Sequence, residues 1–126
     1  SHLFQSLQLR EVRLPNRIGI PPMCQYSAVD GHVTDWHLVH YGARAVGGVG
    51  LVNTEMLCVA PEARITPGCA GLWNDAQQDA LSRVVRFCRQ HGQAALGIQP
   101  NGMWTFLGKA VGSSASRTSA ASGANV

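Results

Sequence analysis

The sequence predicts an α/β fold whose strands run parallel and are joined by right-handed helical crossovers. Two observations carry this reading. Strand-like and helix-like hydrophobic spacings alternate along residues 17–99 in the order strand, helix, strand, helix, strand. Each helical segment also has a capping residue in front of it and glycine behind it.

The elements follow in chain order. Residues 1–16 hold Leu3-Phe4, Leu7-x-Leu9 and Val12-x-Leu14, then a Pro15-Asn16 turn signal. Their alternation predicts a short hairpin. Arg17 to Ile20 reads as a buried strand. Pro21 and Pro22 stop it, because they lack the N–H that a ladder needs. Residues 27–33, rich in Ser, Asp and Gly, read as a loop. Thr34 or Asp35 caps a helix through about Val46. Trp36, Val39, Ala43 and Val46 are spaced as one apolar face of it, and Gly47-Gly48 ends it.

Val49 to Met56 reads as the second strand. The long segment 57–73 contains Pro61 and Pro67, and connections of that length often carry function. Asn74 starts the next helix as N-cap, with Gln77 at the reciprocal position of a capping box. Leu81, Val84, Val85 and Cys88 follow the spacing of a buried face, and Gly92 closes the helix. Ala94 to Gln99 is the third strand. Beyond it the composition changes. Gly112 to Val126 is almost entirely Ser, Ala, Gly and Thr. Such a segment buries too little apolar surface to offset its ordering entropy. Residues 1–99 are therefore expected to form the folded part and 100–126 a divergent, disordered tail.

A chain of 126 residues fits one domain. Its net charge of +3 comes from nine arginines and one lysine against seven acids, scattered along the chain. A nucleic-acid surface gathers its basic residues on one face, so that partner is not expected. No apolar run approaches a membrane span, and Ser1 to Ser6 lacks the features of a signal peptide. A cytoplasmic location is the expectation. The four cysteines, at 24, 58, 69 and 88, form no CxxC pair and read as reduced thiols.

Candidate chemistry lies at strand ends. In an α/β barrel, catalytic and cofactor groups sit at the C-terminal ends of strands, and Pro21-Pro22-Met23-Cys24-Gln25-Tyr26 follows the first strand directly. On the residues alone Cys24 reads first as a buried thiol, and Tyr26 as either a loop anchor or a ligand contact. His37 and His40 stand at i, i+3 on a helix. With no third and fourth ligand in sight they read as packing and capping residues, and no metal is expected. Gly47-Gly48-Val49-Gly50 precedes a strand instead of opening a helix, which argues against a dinucleotide fingerprint.

Several landmarks in order resemble the Old Yellow Enzyme family of FMN-dependent ene-reductases, in its cysteine-bearing, xenobiotic-reductase-like branch. They are Leu3-Phe4 with Asn16-Arg17-Ile18, then Pro22-Met23-Cys24, then His37-x-x-His40-Tyr41 with Arg44-Ala45-x-Gly47-Gly48-x-Gly50-Leu51. Gly71-Leu72-Trp73-x-Asp75 and Gly97-Ile98-Gln99 complete the set. The resemblance covers about residues 3–99. It implies the N-terminal portion of a (β/α)8 TIM barrel, cut after about three strands, since a whole barrel takes roughly 250 residues.

The resemblance also implies roles. Pro22, Met23 and Cys24 would lie along the flavin ring, with the Cys24 thiol near its reactive edge. Tyr26 would face the substrate, and Gln99 would bond the pyrimidine edge. Met56 would stand where the family usually has a small residue against the flavin. The implied cofactor is FMN, the reductant NAD(P)H and the substrate a small activated alkene. In place of the family's His-Ala-Gly-Arg-Lys-like segment after Gln99, the chain has Pro100-Asn101-Gly102-Met103-Trp104. The rival reading is an inactive barrel fragment that self-associates as a homo-oligomer, or needs a partner, to cover its open sheet edges.

Overall fold

A computed structural model describes residues 1–100 and the short strand 105–106. A 3-10 turn, His2–Phe4, leads into an antiparallel hairpin of β1 (Leu7–Leu9) and β2 (Val12–Leu14). A second sheet follows in the spatial order β3 (Gly19–Ile20), β4 (Leu51–Leu57), β5 (Ala95–Pro100), β6 (Thr105–Phe106). The first three strands are parallel and adjacent, and β6 pairs antiparallel with β5. Helix α1 (Asp35–Val46) connects β3 to β4, and α2 (Asp75–His91) connects β4 to β5. This is the predicted βαβαβ unit. The disordered tail expected over 100–126 begins too early, since Pro100 ends β5 and Thr105–Phe106 pairs with that strand as β6; the rest of the tail lies outside the described residues.

The strand β3 is two residues long, although its pairing begins earlier. The Ile18 carbonyl accepts the N–H groups of both Gly50 and Leu51, at 2.9 and 3.1 Å. Asparagines then lock this edge. Asn16 donates to the Gly48 carbonyl and accepts from the Ile18 N–H, while Asn53 donates to the Ile20 carbonyl. These bonds fix where β3 ends and where Pro21-Pro22 leaves the sheet.

The core lies between the sheet and the two helices. Val52, Leu96 and Ile98 from the strands meet Tyr41 and Ala45 of α1 and Leu81, Val84, Val85 and Cys88 of α2. The α2 face is the predicted one. The α1 face is not. Trp36, Val39 and Val46 are 58%, 68% and 57% exposed, and the buried residues are His37, Tyr41, Gly42 and Ala45. Gly42 explains the difference. A Cβ there would stand 2.7 Å from the Phe87 ring, so glycine lets α2 close onto this side of α1. Polar His37 and Tyr41 can go inside because each finds a buried partner there.

Both helix starts use caps. The Thr34 N–H donates to His37 Nδ1 at 2.9 Å, so histidine fills the place of the usual Glu or Gln in a capping box. In α2 the Asn74 side chain accepts from the Gln77 N–H at 2.9 Å. The Gln77 side chain does not return that bond. It accepts from the Trp73 N–H and donates to the Asp30 carbonyl, tying the 27–33 loop to the α2 entrance.

Burial also sets an alkaline limit on stability. The Cys88 thiol is pushed up to about 11 from an ordinary 9.0 because it is buried under α2. Tyr41 is pushed up in the same direction, by burial first and by the Glu55 carboxylate beside it. Between about pH 9 and 11 the unfolded chain has lost the Cys88 proton while the folded chain keeps it. The contribution is complete below that window and lost as pH rises through it. Melting temperature is expected to fall across the window, with a shallower fall in Cys88→Ala. An identical slope in the two proteins would assign the loss elsewhere.

Candidate active site at the strand ends

Three parallel strands end side by side, and the sequence-predicted site residues collect at that edge. After β3 the chain runs extended through Pro21, Pro22, Met23 and Cys24. Pro22 and Cys24 are half-buried, and Met23 is 43% exposed. On the next strand Met56 is the register partner of Gln99 on β5. Both are half-buried. The structure therefore brings Met56 and Gln99 together as neighbours and sets the Pro22–Cys24 segment on the other side of β4.

Tyr26 is 52% exposed and has φ of +52°, a left-handed conformation that is uncommon for a residue with a side chain. Its surroundings over-determine that conformation. The Tyr26 carbonyl packs directly against Gly68, where any Cβ would collide with it, and the Ala28 N–H donates to the Gly68 carbonyl at 3.0 Å. The long 57–73 segment, with its 3-10 turn at Pro61–Ala63, thus serves as a support for the Tyr26 turn. The Tyr26 phenol is pushed up, chiefly by the nearby Cys24 thiol. Cys58, Cys69 and Cys88 are buried, as small apolar residues commonly are.

A polar cluster beneath this edge was not found from the sequence. Glu55 is 1% exposed in the middle of β4. Its Oε1 accepts from the Tyr41 hydroxyl at 3.0 Å, and that hydroxyl accepts from the Glu55 N–H at 2.8 Å. Its Oε2 accepts from the Gln25 N–H at 3.2 Å. His37 Nε2 lies 3.1 Å from Oε1 in a close polar contact that falls short of an aligned hydrogen bond. Glu55 lies in the stretch of β4 where pairing with β5 changes register, between Asn53 and Met56.

Gln25 adds a second layer. Its amide donates to the Met23 carbonyl at 2.8 Å and accepts from the Trp36 indole N–H at 3.0 Å. His40 packs edge-on against Tyr41, with centroids 5.0 Å apart. Burial is the main cause of a lowered His40 affinity for protons, and Arg44 adds to it. Among the described residues, no group of three or more His, Cys, Asp or Glu side chains could hold a metal ion. Likewise no described helix is long and apolar enough to cross a membrane.

The edge offers an apolar strip of Pro22, Met23, Cys24 and Met56 with one amide, Gln99, at its end. An amide can donate and accept, and the strip can lie along a flat heteroaromatic ring, so these residues fit a flavin. Parallel strands with helical crossovers match the N-terminal part of a (β/α)8 barrel, whose sites lie at the C-terminal ends of its strands. The chain belongs to the NADH:flavin oxidoreductase / NADH oxidase family, whose profile matches residues 2–117. That match runs beyond the landmark residues at 3–99. The family implies FMN as cofactor and NAD(P)H as reductant.

Among curated relatives, an NADPH dehydrogenase of Listeria monocytogenes is 48% identical over 101 residues, covering 79% of this chain and 30% of that protein. One of Bacillus cytotoxicus is 44% identical over 97 residues, covering 75% and 28%. The chain therefore spans less than a third of the length of these relatives. A solved morphinone reductase superposes with a TM-score of 0.72 at 30% identity, covering 81% of this chain and 26% of that one. Old Yellow Enzyme from Pichia sp. shares the fold, with a TM-score of 0.72 at 24% identity over 79% of this chain and 26% of its own.

Proposed function

We propose that this chain supplies one wall of an FMN site for NAD(P)H-dependent reduction of an activated C=C bond. The convergence of Cys24, Met56 and Gln99 at the ends of three adjacent parallel strands carries the reading. When bound, FMN supplies hydride transfer from NAD(P)H to the β-carbon of an enone-type substrate. Pro22, Met23 and Cys24 would line the ring with apolar atoms and a polarizable thiol, and Gln99 would bond its polar edge. Met56 would occupy space where the family usually has a small residue, so its thioether would narrow the room for the ring. Tyr26, exposed after Cys24 and Gln25, would face the substrate.

Purification and an FMN titration test this reading. Weak FMN uptake without enone reduction is the expected result for these 126 residues by themselves, and with the barrel completed Cys24→Ala is expected to shift the bound flavin's midpoint potential. A bound flavin whose potential ignores Cys24→Ala would remove the thiol from the ring edge. The rival is a non-catalytic, self-associating fragment. It is favoured by one feature: among the described residues β3 has a neighbour on one side only. Concentration-dependent sedimentation with no flavin uptake would support that rival.

A further inference from the structure

We infer that Glu55 is a positioning residue that fixes the Cys24–Gln25 backbone against the flavin-facing edge, with His37 and Tyr41 holding its carboxylate. The inference deepens the flavin reading and rests on it for the identity of what the edge faces. It starts from an oddity of β4. A carboxylate that is 1% exposed needs partners to be tolerated inside a strand. Two of its partners, Tyr41 and His37, lie on one face of α1 at i, i+4 spacing. Its other oxygen reaches out to the Gln25 N–H, which follows Cys24 directly.

The direction of each bond supports a positioning role. His37 Nδ1 is occupied as acceptor of the Thr34 N–H, which leaves the ring proton on Nε2, facing Glu55. Tyr41 is committed as donor to the carboxylate and as acceptor of the Glu55 N–H. Glu55 therefore faces three donors with acceptor-only chemistry, and its orientation has one solution. Immediately beyond Gln25, Tyr26 takes its left-handed turn. Such a conformation persists where its surroundings fix it. Gly68 packs against the Tyr26 backbone, and Glu55 accepts from the Gln25 N–H just before it. Met56, the next residue on β4, pairs with Gln99, so one short stretch of strand sets both halves of the edge.

The test uses the flavin-free chain first. Glu55→Gln preserves shape, but either orientation of its amide turns an NH2 toward a donor. Peptide-resolved alkylation of Cys24 and hydrogen exchange of the Gln25 amide are measured beside alkylation of buried Cys88. Cys24 labelling and Gln25 exchange are expected to rise about tenfold, the factor by which losing a charge-assisted bond eases local opening. Cys88 labelling is expected to stay unchanged. An unchanged Cys24, or one that rises in step with Cys88, overturns the inference.

If Glu55→Gln fails to fold, His37→Gln decides. Glutamine keeps the capping-box acceptor and removes the Nε2 contact, so Cys24 should still accelerate selectively. No selective change would overturn the inference. An FMN arm separates the two proposals. A Cys24 response in a chain that takes up no FMN sinks the flavin reading and leaves the positioning role standing. Flavin uptake without a Cys24 response does the reverse.

Discussion

Leu57→Ala is expected to cost about 2–5 kcal/mol of folding stability, the largest effect of any single truncation considered. Leu57 is 1% exposed and ends β4, where it pairs in register with Pro100 and belongs to the main core. Truncation loses the transfer energy of three carbons and leaves a void that the neighbouring strand cannot close. A small domain holds only about 5–15 kcal/mol in total, so the variant should show a much lower denaturant midpoint. Val39→Ala, on the exposed side of α1, should stay within about 0.5 kcal/mol of the parent. The reverse ranking of the two variants would mean that α1 buries the face its apolar spacing suggests, and that the described packing is wrong.

Gln99→Ala is expected to weaken FMN binding by roughly 1–3 kcal/mol, about 5- to 150-fold in dissociation constant. Gln99 stands at the end of β5 beside Met56 and is half-buried. In the proposed site its amide would pair with the donor and acceptor groups of the flavin's polar edge. Removing it leaves those groups covered and unpaired, which costs more than a lost exposed contact. Fluorescence titration of FMN measures the change. The melting curve should move little, because Gln99 is not part of the core cluster. Unchanged affinity in a folded Gln99→Ala protein would place the flavin's polar edge elsewhere.

Much of the fold is legible in local sequence. Pro21-Pro22 forces the chain off β3, the Asn74 side chain caps α2, and Leu81, Val84, Val85 and Cys88 mark its buried face. These features act through the backbone or through strict spacing, so each is decided within a few residues. The edge holding Cys24, Met56 and Gln99 was also legible, because parallel strands must bring their C-terminal ends together. Its family is confirmed by the match over residues 2–117. The individual roles at that edge remain the proposals tested above.

Tertiary structure alone decided the rest. Trp36, Val39 and Val46 carry the apolar spacing of α1, yet the helix buries His37 and Tyr41. Gly42 permits the approach of Phe87 on that side, and Glu55 supplies the partner that makes burial of polar groups tolerable. A charged residue inside the strand Leu51–Leu57, with His and Tyr at i, i+4 on the preceding helix, was the available signal. It became a contact only through the packing of α1 against β4, a strand that also pairs with β5 some forty residues downstream in the sequence. Sequence determined which residues could form the strand-end edge. Packing between α1, α2 and β4 decided which buried groups lie beneath it, because there Gly42 admits Phe87 of α2 and Tyr41 meets Glu55 of β4.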